Sequence, residues 1–109
     1  MARYFISISD PETMPSGPFG FRARGPEGIA AELQDALRGD ALFTRWRDAQ
    51  EDPDAVEDTL GATDPAATVR GEQNDLRLDL EISTSLPSSV LRHRLGLLAA
   101  SHWKLHDVR

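Results

Sequence analysis

Seven carboxylates fall between residues 48 and 69 with no base among them: Asp48, Glu51, Asp52, Asp54, Glu57, Asp58 and Asp64. Such a run can hold a cation or meet a basic partner. A calcium loop needs oxygen ligands at fixed offsets and a glycine at its sixth place. Counted from Asp52, the third place is Asp54, but the fifth is Val56 and the sixth is Glu57. The spacing does not fit, and the run reads as a solvated acidic surface. Asp52, Asp54, Glu57 and Asp58 are then candidate contacts for a basic protein, where complementary charge raises the on-rate. A second candidate is the trio His93, His102 and His106, which could meet at a metal or acid–base site. His102 and His106 straddle an expected helix–strand boundary, and His93 lies between Arg92 and Arg94, whose charges oppose a cation. These read as surface histidines. Asp79 and Glu81 stand two apart with Arg77 beside them, a spacing that favours cross-strand ion pairs over a divided acid–base pair.

The segment Gly17-Pro18-Phe19-Gly20-Phe21-Arg22-Ala23-Arg24 leads into a helix N-terminus. Backbone N–H groups with two arginines would suit an anion there. The glycine, phenylalanine and arginine content of this loop, and its place after the first strand, resemble the acylphosphatases. That resemblance implies a phosphate-holding loop on a shared fold. The chain departs from the family in lacking its fuller glycine loop. Its only Asn, Asn74, lies in an expected turn, not on the second strand where the catalytic one would stand. Phe19, Phe21, Arg22 and Arg24 are equally suited to gripping a protein partner.

These groups must be positioned by regular elements, and one stretch organises them. Leu76, Leu78, Leu80 and Ile82 alternate without a break with Arg77, Asp79, Glu81 and Ser83. Side chains on a strand point to opposite faces in turn, so this is a strand with one apolar and one charged face. Such a strand belongs to an antiparallel sheet covered on one side only. Tyr4 to Ser9 is a second strand, halted by Asp10-Pro11. A long Pro/Gly loop follows over 10–25. Gly25-Pro26 opens a helix with Ile29, Leu33, Ala36 and Leu37 at helical spacing and Gly39 as its closing glycine. Asp40 is placed to cap a second helix bearing Leu42, Phe43, Trp46 and Ala49. Val56 and Leu60 suggest a further short helical turn. Ala67 to Glu72 reads as a strand, turned back by Gln73-Asn74. A helix entered at Leu86-Pro87-Ser88-Ser89 carries Leu91, Leu95 and Leu98, and Trp103 to Val108 is the last strand. The order is the βαββαβ ferredoxin-like pattern: an α+β sandwich whose four-stranded antiparallel sheet has helices on one face.

The chain of 109 residues reads as one domain, 1–109, able to fold without staples. It has no cysteine, so disulfides, thiolate catalysis and Cys-based zinc sites are excluded. The net charge of −6 disfavours binding to phosphate backbones, so no nucleic acid is expected. No stretch approaches the ~20 apolar residues of a membrane span, and no signal peptide is visible, which reads as a cytoplasmic protein. No catalytic motif, cofactor site or metal site emerges. The expectation is a small acidic, non-enzymatic interaction module that binds another protein, of the inhibitor, immunity or adaptor type, or binds itself. The alternative is a small enzyme or anion-binding protein using the loop after the first strand.

Overall fold

The computed structural model describes residues 1–11 and 18–109. Met14, Pro15 and Gly17 of the 10–25 loop lie outside the described residues. The elements run β1 (Ala2–Ser9), α1 (Pro26–Arg38), α2 (Ala41–Asp48), β2 (Thr68–Asn74), β3 (Arg77–Thr84), α3 (Ser88–Ala99) and β4 (Trp103–Val108). Four strands form one antiparallel sheet in the order β2-β3-β1-β4, and with the three helices the class is α+β. The two most strongly alternating strands, β1 and β3, lie in the middle.

The alternation decides which face is covered. Tyr4, Ile6 and Ile8 of β1 and Leu78, Leu80 and Ile82 of β3 are buried in one cluster with Ile29, Leu33 and Leu37 of α1 and Leu91, Leu95 and Leu98 of α3. Each of these side chains gains roughly 1.5–3 kcal/mol by leaving water. The opposite face carries Phe5, Arg70, Asp79 and Glu81, which line an open hollow of about 580 Å³. Helix α1 crosses β2 so closely that a Cβ on Gly71 would stand 2.5 Å from the Pro26 carbonyl oxygen. This close approach is why a glycine interrupts that strand.

Three local details differ from expectation. The hairpin turn falls at Asp75-Leu76, two residues later than Gln73-Asn74. Asp75 takes a left-handed φ of 55°, which a short polar side chain tolerates, and Leu76 is left exposed at the tip. Gly39 has a φ of −132°, so it closes α1 in an extended conformation through its N–H to the Asp35 carbonyl. The stretch after α2 forms two 3-10 turns, Pro53–Ala55 and Asp58–Gly61, and no α-helical turn. It is too short to offset the cost of an α-helical nucleus, and its neighbouring carboxylates repel one another.

Candidate functional site

Residues 49–63 contribute no buried side chain to the core. Hydrogen bonds hold the segment instead, and they begin at the C-terminus of α1. A helix leaves its last four carbonyls without partners. Here the Asp35 carbonyl accepts from the Gly39 N–H at 3.1 Å, and the Leu37 carbonyl accepts from the Asp64 N–H at 2.8 Å. The Ala36 carbonyl accepts from Nη1 of Arg94. Arg94, on α3, is wholly buried. Its Nη2 also donates to the Leu60 carbonyl at 3.2 Å and to the Ala62 carbonyl at 2.7 Å. One guanidinium thus ties the acidic segment to α1 and α3 together. A cation at the end of α1 also suits the helix dipole.

Asp64 is the second anchor. Its Oδ2 accepts from the Thr84 hydroxyl at 2.8 Å and from the Ser85 N–H at 2.9 Å, and its Oδ1 accepts from the Ala66 N–H at 3.0 Å. The Ser85 amide foremost, then the Thr84 hydroxyl, holds this carboxyl below the usual aspartate value despite the opposing effect of burial. On the N-terminal side of both anchors, Asp52, Asp54, Glu57 and Asp58 are all exposed. The four acids singled out from the sequence are therefore carried on or beside two short 3-10 turns that run into the anchored stretch Leu60 to Asp64.

His93 and the aromatic residues of α2 pack beside Arg94. The His93 ring lies 4.5 Å from that of Trp46 in an edge-on arrangement and 6.1 Å from that of Phe43. Burial foremost, then the neighbouring Arg94 charge, lowers the His93 pKa below its ordinary value. The three histidines do not converge: His106 instead meets the Ser7 hydroxyl, 2.6 Å from its Nε2, on the open sheet face. Among the described residues, no group of His, Asp and Glu is arranged to hold a metal ion. No helix among them is long and apolar enough to cross a membrane.

The loop before α1 is tied down. Phe21 is 1% exposed and part of the core, and its N–H donates to the Leu98 carbonyl at 3.0 Å. The N–H groups of Arg22 and Ala23 donate to the Glu32 carboxylate on α1, at 3.0 and 2.6 Å. The amides that the sequence offers to an outside anion are thus filled by an internal one. Phe19 is half-buried, with the Arg45 guanidinium 6.0 Å from its ring centre. Phe19, Arg22 and Arg45 line a surface hollow of about 420 Å³. Arg22 is exposed and Arg24 half-buried. Among the described residues, no hydrogen bond or ion pair joins this loop to the acidic four.

Glu81 forms cross-strand ion pairs as expected, whereas the ion pair of Asp79 lies within its own strand. Arg77 lies 3.0 Å from Asp79, and Glu81 sits between Arg3 at 3.6 Å and Arg70 at 3.8 Å.

Sequence reasoning missed Arg94, Asp64 and Glu32. Arg94 did leave a signal, because it occupies the apolar stripe of α3 between Leu91 and Leu98. Comparison with family models, curated proteins and solved structures gives no match for this chain.

Proposed function

We propose that this chain is a non-enzymatic interaction module whose acidic segment docks a basic protein, as an inhibitor, immunity protein or adaptor would. One observation carries the reading: a wholly buried arginine fixes a segment whose outward side chains are exposed carboxylates. A surface ordered before binding loses less entropy on association, and clustered charge of one sign steers a partner of the other. Asp52, Asp54, Glu57 and Asp58 are the principal contacts. Phe19, Arg22 and Arg24 offer a second contact surface, with Phe21 supporting it from the core. The strand order supports reading the architecture as ferredoxin-like, with helices on one face, a scaffold that leaves function to its surfaces. The commitment of the Arg22 and Ala23 amides to Glu32 weighs against the anion-binding alternative.

The test is capture from an extract of the native organism on two baits. One is the wild-type protein and the other carries Asp52→Asn, Asp54→Asn, Glu57→Gln and Asp58→Asn. The reading expects a basic protein held by the wild type, released at ~0.3 M salt where screening is strong, and absent from the variant bait. Equal retention on both baits overturns it.

A further inference from the structure

The open sheet face has a charge pattern that can be read row by row from the strand register. One row runs Arg70, Glu81, Phe5, Asp107 from β2 to β4, and the next runs Glu72, Asp79, Ser7, Lys104. Directly paired residues share a face, so both rows point away from the helices. The inner charges are matched within the chain, Glu81 by Arg3 and Arg70, and Asp79 by Arg77. Asp107 is held by Arg109 at 2.8 Å. Among the described residues, Glu72 and Lys104 have no ion pair. They are exposed, and they stand at opposite ends of one row.

We infer that this face is the contact surface for a second copy of the chain, about a two-fold axis parallel to the strands and midway between β1 and β3. That rotation keeps each row facing itself and reverses its order. Glu72 then meets Lys104 of the second copy, and Arg70 meets its Asp107, and each pair occurs twice. Asp79 faces the Ser7–His106 pair of the second copy. Glu81 faces its Phe5, over which the Arg109 guanidinium already stands at 5.0 Å. No row sets like charges against each other. An axis across the strands would fail, because it sets Glu81 against Asp79.

Stacked sheets lie about 10 Å apart, a gap that a lysine and a glutamate span together. The charge balance agrees: this face carries bases and acids in nearly equal number on a chain of net charge −6. It is the surface on which two such chains approach with least repulsion. Four strands spaced about 4.8 Å apart and about 25 Å long present roughly 500 Å² per copy. The total of about 1,000 Å² is at the lower bound for a specific interface, so the dimer is concentration-dependent. This surface is distinct from the acidic segment and does not rest on its reading.

Sedimentation equilibrium tests it over a range of protein concentration at about 0.02 and about 0.3 M salt. The wild type should pass from the 12.0 kDa chain to twice that mass as concentration rises, with weaker association at high salt. Glu72→Lys and Lys104→Glu should each raise the dissociation constant about tenfold or more, since every change is felt twice. The double swap should restore association. Thermal melts of the single variants matching the wild type establish that both are folded. A wild type that stays monomeric throughout, or single variants that dimerise as well as the wild type, overturns the proposal. Failure of the double swap to restore association overturns the proposed axis.

Discussion

At the scale of single residues, two ionisable groups that the apolar pattern conceals, Arg94 and Asp64, hold the end of the acidic segment. An arginine in a helix usually reads as a stem lying over apolar surface with its head in water. Arg94 is placed inside instead, because three backbone carbonyls from two distant segments converge on it. Nothing local in the sequence gives that convergence. The Ala36 carbonyl comes from 58 residues away, and the carbonyls of Leu60 and Ala62 come from 34 and 32. Asp64 is similar: its Thr84 partner lies 20 residues on, so the carboxylate reads as one more member of an acidic run. His93 gives a pH test of this corner. Its folded pKa lies below the ordinary 6.5. As pH falls through 6.5, the unfolded chain takes up the proton first, so stability declines until the folded histidine protonates too. Denaturation midpoints measured from about pH 7 to about pH 5 should fall in the wild type. His93→Phe, which keeps a ring against Trp46, should flatten that fall. An unchanged slope in the variant would place the titration elsewhere.

At the scale of elements, the sheet was legible and the caps were not. The alternation through Leu78, Leu80 and Ile82 selects both period and covered face, since a slip of one residue would expose every apolar side chain. The loop from Pro18 to Arg24 carried an ambiguous signal. Its amides and arginines suit an anion, and only the fold shows Glu32 of α1 reaching them. Helix α3 carries its glycine and its alanine at each other's preferred places. Gly96 sits mid-helix with nothing within 4 Å of the position a Cβ would take, while Ala100 closes the helix at a left-handed φ of 52°. Glycine costs about 1 kcal/mol relative to alanine within a helix, and alanine costs about 1 kcal/mol in the left-handed region. Gly96→Ala and Ala100→Gly should each raise the melting temperature by about 4 °C. Thermal unfolding by circular dichroism checks both. A lower melting temperature for Ala100→Gly would show that flexibility gained by the unfolded chain outweighs the strain relieved.

At the scale of the whole molecule, charge is distributed by surface. The acidic segment projects carboxylates from short turns, and the open sheet face carries mixed charge row by row. The composition gave the first of these, because seven acids without a base are visible in a single line. The second needed the register across three strand pairs, including the irregularity between Phe5 and Ile6 that sets Asp107 beside Phe5. The functional reading stands on the acidic segment being a fixed surface and not a loose tether. Amide hydrogen exchange tests this without a partner. The N–H groups of Ala55, Val56, Leu60, Ala62 and Asp64 all donate to backbone carbonyls, at 2.8 to 3.3 Å. These amides should be protected in the wild type. In Arg94→Met, where the carbonyls of Leu60 and Ala62 lose their donor, protection of the Leu60, Ala62 and Asp64 amides should be lost while β1 and β3 stay protected. Exchange of these amides in the wild type at the rate of an unstructured chain would contradict it.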